Sequence, residues 1–348
     1  MMKRFGKKAG IIAVGVCLLL MALLAGGVFA LGEYMAVIET ERPVALVIRH
    51  GDSLKQVVRN LSKDGLLSYP GLVTFLGVVR GDSSRIKAGE YLLEGSISAN
   101  QFLDNIVTGR ARLVSITIPE GFSLREIARR LEKNSLGSAA EFLRLCKDKK
   151  FIATLDLDID TGPSSLEGFI YPETYSFYRG ASEAHLIRTM VKQFKKKASA
   201  TLKTGGNSGP LSPYEILVLA SIIEKETGAG HERPLISAVF HNRLKLKMRL
   251  ASDPTVIYGI SDFDGNIKRI HLRAKTPYNT YKIRGLPPTP IANPGLESIK
   301  AAVSPANVKY LYFVSKGDGT HFFSKDFKTH NRAVYKYQIL RHRRKRKS

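Results

Sequence analysis

The sequence predicts an α+β protein: a single N-terminal transmembrane helix, one or more small βα modules, and a mixed α+β domain after them. Three observations point there. An uncharged run of 23 residues lies near the N-terminus, a strand-turn-helix pattern occurs twice, and the second half mixes amphipathic helices with short aromatic strands and tight turns. Regular βαβ alternation is missing from that half, which argues against a parallel sheet. At 348 residues the chain is long enough for two or more domains with real cores, so disorder is not the default reading.

The uncharged run is "AGIIAVGVCLLLMALLAGGVFAL", residues 9–31. As a helix it would be roughly 34 Å long, enough to cross a hydrocarbon layer of about 30 Å. A cleaved signal peptide is the competing reading, because "VFA" before Leu31 could serve as a small-residue cleavage site. Apolar cores of signals, however, run only about 7–15 residues, which favours an uncleaved anchor. Lys3, Arg4, Lys7 and Lys8 precede the run and no charge follows it immediately. That asymmetry leaves residues 1–8 in the cytoplasm and carries everything from about Gly32 outward.

The net charge is +24, and the two ends supply ten of those charges, four before the span and six in the tail "RHRRKRKS", residues 341–348. The body is therefore basic in its own right. Outside a membrane the available polyanions are lipid headgroups and anionic wall polymers, so nucleic acid is not an expected partner. The tail reads as a solvated end. Cys17 lies inside the apolar run and Cys146 far from it, so no disulfide framework is expected.

After the span, "VALVIRHGDSLKQVVRNLSKDGLL" begins with alternating apolar residues, turns at Gly51 and continues with Leu54, Val57, Val58 and Leu61 at helical spacing. Seventy residues later "VSITIPEGFSLREIARRLEKNSLG" repeats it, with Gly121, Ser123, Leu124, Arg129 and Leu131 echoing Gly51, Ser53, Leu54, Arg59 and Leu61. The unit "GDSLKQVVRNL" resembles the opening strand, turn and first helix of a LysM module, a small βααβ fold associated with glycans containing N-acetylglucosamine. Any βα unit with a serine N-cap has the same outline, so glycan binding stays an expectation for residues 42–157.

Turn formers cluster over "DIDTGPSSLEG", residues 158–168, and mark a break before a domain spanning 164–340. "GFIYPETYSFYRG" is β-prone, a polar helical stretch follows, and "KTGGNSGPLSP" reads as a loop. The next helix starts with Ser212 as N-cap and Pro213 at its first position, and Gly228 reads as its C-cap. Downstream, "RPLISAVFHNRL" is amphipathic, "SDPTVIYGI" turns into an apolar element, and "YNTYKIRGLPPTPIANPG" is rich in Pro and Gly. "GLESIKAAVSP" reads as a helix, and "VKYLYFVSK" and "THFFS" as paired strands joined by a tight turn.

The helix after Ser212 ends in "LASIIEKETG", with Glu224 and Glu226 two positions apart. At about 100° per residue the two carboxylates point roughly 160° apart, so one cleft cannot receive both. Leu219, Ile222 and Ile223 share a side with Glu226, giving it the bulkier apolar neighbourhood. Desolvation and the negative end of the helix dipole would both raise its pKa, which suits a general acid. An ion pair between Glu226 and Arg233, or two solvated glutamates at a helix end, explains the same spacing.

"LASIIEKET" resembles the helix of Slt-type lytic transglycosylases, in which an apolar run ends in Glu followed by Ser; here Thr227 follows Glu226. Together with "ERPLISAVFHNRLKLKMRLASDPTVIYG", "YNTYKIRGLPP", "IANPGLESIKAAVSP" and "YLYFVSKGDGTHFFS", it is similar to the MltG (YceG-like) endolytic murein transglycosylase family. The resemblance runs from the span to about Tyr335, is weaker in the first half and does not cover the basic tail. It implies cleavage of the β-1,4 bond between N-acetylmuramic acid and N-acetylglucosamine in nascent peptidoglycan, leaving a 1,6-anhydro end. Glu226 would act first as acid and then as base, with no cofactor or metal, where ordinary glycosidases use two carboxylates. It further implies an extracytoplasmic catalytic domain on the bacterial inner membrane, with peptidoglycan strands and possible synthesis proteins as partners.

Glu173, between Tyr171 and Tyr175, and Asp253, Tyr258, Tyr278 and Asn279 carry the ring, amide and carboxyl mix of carbohydrate grooves, although core packing and turn chemistry use the same residues. The histidines show no metal-binding spacing such as HExxH, and neither a GxSxG nucleophile motif nor a P-loop is present. A non-catalytic wall-binding scaffold for synthesis enzymes is the rival from another class.

Overall fold

The computed structural model describes residues 2–109, 112–157, 163–260 and 263–340. The basic tail over 341–348 and the first part of the turn-rich break after residue 157 lie outside the described residues. Two compact units result: residues 1–115 with 176–182, and residues 116–175 with 183–348.

The first unit opens with helix α1 (Met2–Tyr34), in which Val14–Tyr34 is long and apolar enough to cross a membrane. Strand β1 (Ala36–Ile48), helices α2 (Leu54–Lys63) and α3 (Pro70–Val79), and strand β2 (Gly89–Ser98) follow in βααβ order, closed by α4 (Ala99–Thr108). β1 and β2 pair antiparallel, with Ile38 opposite Ile97 and Val44 opposite Leu93. The register shifts between Thr40 and Val44, where Pro43 has no N–H to give a ladder. Ile38, Ile48, Leu54, Val57, Leu61, Leu76, Leu93 and Phe102 form its core. The helical spacing read from the sequence thus places Leu54, Val57, Val58 and Leu61 on one buried face.

The chain passes to the second unit within β3 (Leu113–Thr117) and returns briefly within β4 (Thr174–Tyr178), which pairs with β3. Between them lie α5 (Leu124–Lys133), α6 (Ala139–Leu145) and α7 (Lys149–Ala153), so the second copy of the repeat is also strand, helices, strand. The copies share their local causes. Gly51 and Gly121 both have left-handed φ, at 96° and 75°. Ser53 and Ser123 both cap the following helix in a capping box, with Gln56 and Glu126 respectively. The sequence grouped both copies over 42–157, whereas compact packing divides the chain inside the second copy.

The rest of the second unit is α8 (Glu183–Ser208), α9 (Pro213–Glu226), α10 (Arg233–Lys245), α11 (Asp253–Tyr258), α12 (Arg269–Arg273), α13 (Leu296–Val303), the hairpin of β5 (Tyr312–Ser315) and β6 (His321–Ser324), and α14 (Phe327–Val334). Helix α9 packs against α8, α10, α11 and α13, and Ile216 through Ile223 are all buried. A helix apolar on every side belongs in the middle of a domain, and this one is there. Ser221 is satisfied in that interior, donating to the Val218 carbonyl at 2.7 Å and accepting from the Ile291 N–H at 3.0 Å. At the helix start Ser212 forms a capping box with Glu215, as the Ser-Pro pair predicts.

Two expectations need correction. The stretch read as a loop from Lys203 is helical to Ser208. Its glycines are packing residues: a Cβ on Gly205 would lie 2.5 Å from Val303 Cγ2, and one on Gly206 2.5 Å from Pro213 Cδ. Close approach between elements, invisible to local propensity, selects glycine there. Helix α9 also ends before Gly228, which does not adopt the left-handed cap conformation; Thr227 turns the chain with extended backbone at φ −145°.

Replacing an exposed helical glycine with alanine gains up to about 1 kcal/mol. For Gly205→Ala the contact with the stiff Val303 reverses the sign, so thermal unfolding should show a lower midpoint than the parent chain. Adding Val303→Ala should recover part of that loss.

Candidate active site

Glu226 is the last helical residue of α9, and its side chain is partly buried. The Ser252 hydroxyl donates to its Oε1. Burial pushes the Glu226 carboxyl up to about 7; the Ser252 hydrogen bond and the Arg243 charge oppose that rise, and the Asp253 charge adds to it. Thr227 makes the exit abrupt, its Oγ1 accepting the Ala229 N–H at 2.9 Å.

Two sequence motifs interlock to hold Ser252. Its N–H donates to Thr280 Oγ1 at 3.0 Å, its carbonyl accepts from Thr255 Oγ1 at 2.7 Å, and the two threonine hydroxyls lie 2.8 Å apart. Thr255 and Thr280 are fully buried, so "SDPT" and "YNTY" are locked together behind the carboxyl. In front of that lock the Tyr281 hydroxyl donates to Asp253 Oδ1 at 2.7 Å. Arg243 spends its guanidinium on the carbonyls of Leu311, at 2.7 Å, and Leu250, at 2.5 Å, and stacks over Tyr312. It influences Glu226 through its charge while remaining committed to the β5 chain.

Glu224 sits differently. Its carboxylate accepts the Gly295 N–H at 2.9 Å and pairs with Arg233 at 3.4 Å, and Arg233 also reaches Glu120 at 3.6 Å. The ion pair that the sequence allowed between Glu226 and Arg233 forms at Glu224 instead. The two carboxylates thus have different partners, Arg233 and the Gly295 N–H for Glu224 and the Ser252 hydroxyl for Glu226.

The second unit has a cleft of about 750 Å³, whose lining includes Arg125, Arg129, Lys225, Pro254, Tyr258 and Phe263. Two of its lining residues, Lys225 and Pro254, are the chain neighbours of Glu226 and Asp253. Tyr258 is fixed in that wall. Its hydroxyl donates to Glu167 Oε2 at 2.9 Å, and its ring meets Tyr278 edge-on at 4.9 Å. Glu167 is 2% exposed and also accepts from the Leu124 N–H at 3.0 Å and from Asn293 Nδ2 at 3.0 Å. Burial pushes its carboxyl up to about 7, against the opposing hydrogen bonds from Tyr258 and Leu124.

Of the residues singled out from sequence, the structure brings Asp253 beside Glu226 and places Tyr258 on the cleft with Tyr278 against it. The Tyr278 hydroxyl is paired with Thr289 at 2.8 Å. Asn279 is fully buried and donates to the carbonyls of His271, Leu272 and Ala274, which is cap chemistry. Glu173 accepts from Gln193, and its flanking tyrosines are 9% and 7% exposed, so they are packing residues and not open stacking platforms. Sequence reasoning missed Glu167, Ser252 and Arg243. Each acts through contacts more than seventy positions apart or across separate motifs; for Glu167 the one local signal is a lone acid within "SSLEGFI". Among the described residues no cluster of three or more His, Cys, Asp or Glu could hold a metal ion.

The YceG-like family matches residues 46–336. An endolytic murein transglycosylase of Bacillus subtilis (strain 168) is 31% identical over 330 residues, covering 90% of this chain and 91% of that protein. One from Streptococcus pneumoniae serotype 2 (strain D39 / NCTC 7466) is 29% identical over 355 residues, and the match spans 91% of this chain and 63% of that longer protein. The crystal structure of a YceG-like protein from Listeria monocytogenes superimposes with a TM-score of 0.57 at 30% identity, over 84% of this chain and 99% of that one. A match from Leu46 to Lys336 takes in both copies of the repeat, the α9 carboxylates and the interlocked Ser252 and Thr280 motifs, and the chain belongs to the YceG-like family.

Proposed function

We propose that this chain is an endolytic murein transglycosylase, with Glu226 as the group that moves the proton. One observation carries the assignment: a carboxyl at the end of a buried helix, pushed up to about 7 by burial and accepting the Ser252 hydroxyl. The relatives described as murein transglycosylases, similar over most of the chain, support the reaction class.

The chemistry follows from one carboxyl. Protonated Glu226 gives its proton to the glycosidic oxygen as the bond from that oxygen to C1 of N-acetylmuramic acid breaks. Charge develops on C1 and the ring oxygen, and the sugar's own C6 hydroxyl closes on C1. The Glu226 carboxylate takes the C6 hydroxyl proton, so the acid is restored, a 1,6-anhydro ring forms and no water is consumed. The Ser252 hydroxyl stabilises the carboxylate between the two transfers. Tyr258 offers a ring at the cleft wall for a sugar face, and Arg125 and Arg129 offer cations for the acidic groups of the strand. The βααβ unit of residues 36–98 serves as a LysM-like glycan-binding module, and the second copy, through α5, contributes to the cleft. Helix α1 anchors the protein in the bacterial cytoplasmic membrane with residues 1–8 inside.

Mass spectrometry of purified glycan strands incubated with the protein should show anhydro-muramyl ends, and Glu226→Gln should lower their yield by at least about a hundredfold. Glu224→Gln should retain activity at reduced thermal stability. Equal product from Glu226→Gln and the parent would remove Glu226 from the mechanism, and products with reducing ends would make the enzyme a hydrolase.

The raised pKa has two pH signatures. Glu226 must enter each turnover protonated, so kcat/KM should fall as pH rises through about 7. A carboxyl whose pKa rises from 4.5 to about 7 on folding destabilises the fold progressively across that window, because the unfolded chain binds fewer protons there. Glu226→Gln removes that cost, so its thermal midpoint should exceed the parent's at pH 8 and converge with it near pH 4.

A further inference from the structure

We infer that the α2–α3 face of the first unit is a second membrane contact, an interfacial surface that seats on anionic phospholipid headgroups where α1 leaves the bilayer. The inference rests on the reading of α1 as a membrane anchor and goes beyond it, since an anchor alone does not require the folded unit to touch lipid.

The height of the surface is set by packing within the unit. A Cβ on Gly32 would lie 2.4 Å from Leu76 Cδ1, so α1 approaches α3 as closely as backbone allows. Asn100 on α4 donates to the Phe29 carbonyl at 3.3 Å and to Glu33 at 3.0 Å, and Val28 packs against the unit's core. Those residues are the last turns of the membrane-crossing stretch Val14–Tyr34. Helix α3 is therefore held at the level of the lipid interface, with no free linker to lift it away.

At that level α3 exposes apolar side chains. The helix, "PGLVTFLGVV", contains no charged residue; Leu76 is buried, whereas Phe75 is 47%, Val78 64% and Val79 56% exposed. Together with Val58 and Pro70, Phe75 and Val78 line a groove of about 710 Å³. Its other wall is basic. Lys55, Arg59 and Lys63 recur every four residues on α2, all three line the groove, and α2 contains no Asp or Glu. An apolar strip beside a row of cations is the pattern of interfacial membrane helices: the strip enters the acyl boundary and the cations meet headgroup phosphates. A protein partner would account for the apolar strip, but the seat of α1 on the same helix makes lipid the surface already present there.

The sequence contains no tryptophan, so Phe75→Trp in the full-length protein is a single fluorescent reporter. Val78→Trp repeats the measurement at a more exposed position, and Leu19→Trp reports on the span itself. In liposomes of phosphatidylcholine with phosphatidylglycerol, both α3 reporters should be blue-shifted and quenched at least twofold by lipids brominated near the glycerol backbone, and Leu19→Trp should be quenched by lipids brominated near the acyl-chain ends. Reversing Lys55, Arg59 and Lys63 to Glu in the Phe75→Trp protein should abolish most of that quenching while leaving Leu19→Trp quenched. Unquenched α3 reporters beside a quenched Leu19→Trp would overturn the surface and leave the anchor standing. If Leu19→Trp is also unquenched, the anchor reading falls and this inference with it. Quenching that is equal in pure phosphatidylcholine and indifferent to charge reversal would overturn the headgroup assignment. A blue shift produced only by added glycan strands would give the face to the wall polymer instead.

Discussion

The buried Glu167 carboxyl is the constraint on which the geometry of the second unit depends. It accepts hydrogen bonds from the first backbone N–H of α5, from the tip of α11 through Tyr258, and from Asn293 in the Pro- and Gly-rich segment before α13. Asn293 extends the junction, accepting the Ile170 N–H at 2.9 Å and donating to the Phe122 carbonyl at 2.9 Å, while its own backbone pairs with Gly121 and Phe122. Four stretches far apart in the chain thus meet at two polar side chains. Burying a carboxyl is costly, and each hydrogen bond to a charged group returns only about 1.5–3 kcal/mol. The arrangement is stable only with all partners present, so it specifies one arrangement of α5, α11 and the cleft wall between them.

The same physics, with fewer hydrogen bonds among the described residues, sets the state of the Glu226 carboxyl. Glu226 and Glu167 are both pushed up to about 7 by burial. Glu167 is enclosed and hydrogen-bonded to Leu124, Tyr258 and Asn293, whereas Glu226 is partly exposed and, among the described residues, accepts a hydrogen bond from Ser252. An under-satisfied, accessible carboxyl can exchange a proton with a ligand; a saturated one positions its neighbours. Glu224 is the third case, a side chain that pairs with Arg233 and accepts the Gly295 N–H.

The repeat shows how far local rules reach. Gly51 and Gly121, with Ser53 and Ser123, specify the turn and the helix start in both copies, because left-handed φ and capping boxes are properties of a few consecutive residues. What each copy packs against is not local. Leu54, Val57, Val58 and Leu61 enter the core beneath β1 and β2, whereas their counterparts Leu124, Ile127, Ala128 and Leu131 are buried in the second unit and leave Arg125 and Arg129 to line its cleft. The helical glycines Gly205 and Gly206 make the converse point, since local propensity reads them as a loop, whereas they lie in a helix where Val303 and Pro213 leave no room for a Cβ.

The sequence by itself determined the apolar stretch of α1, the α+β class, the capped start of α9 and its burial, and the opposite facing of Glu224 and Glu226. All of these follow from periodicity, caps and angular spacing along one segment. Only the tertiary structure decided that Arg233 neutralises Glu224 and leaves Glu226 to Ser252, that Thr255 and Thr280 lock two loops behind the carboxyl, and that Asn279 is a buried cap. It also brought Glu167 to Tyr258, ninety-one positions away. The reason is physical: a pKa and a hydrogen-bond partner depend on which groups share a low-dielectric space, and that sharing is set by the packing of distant segments and not by their order in the chain.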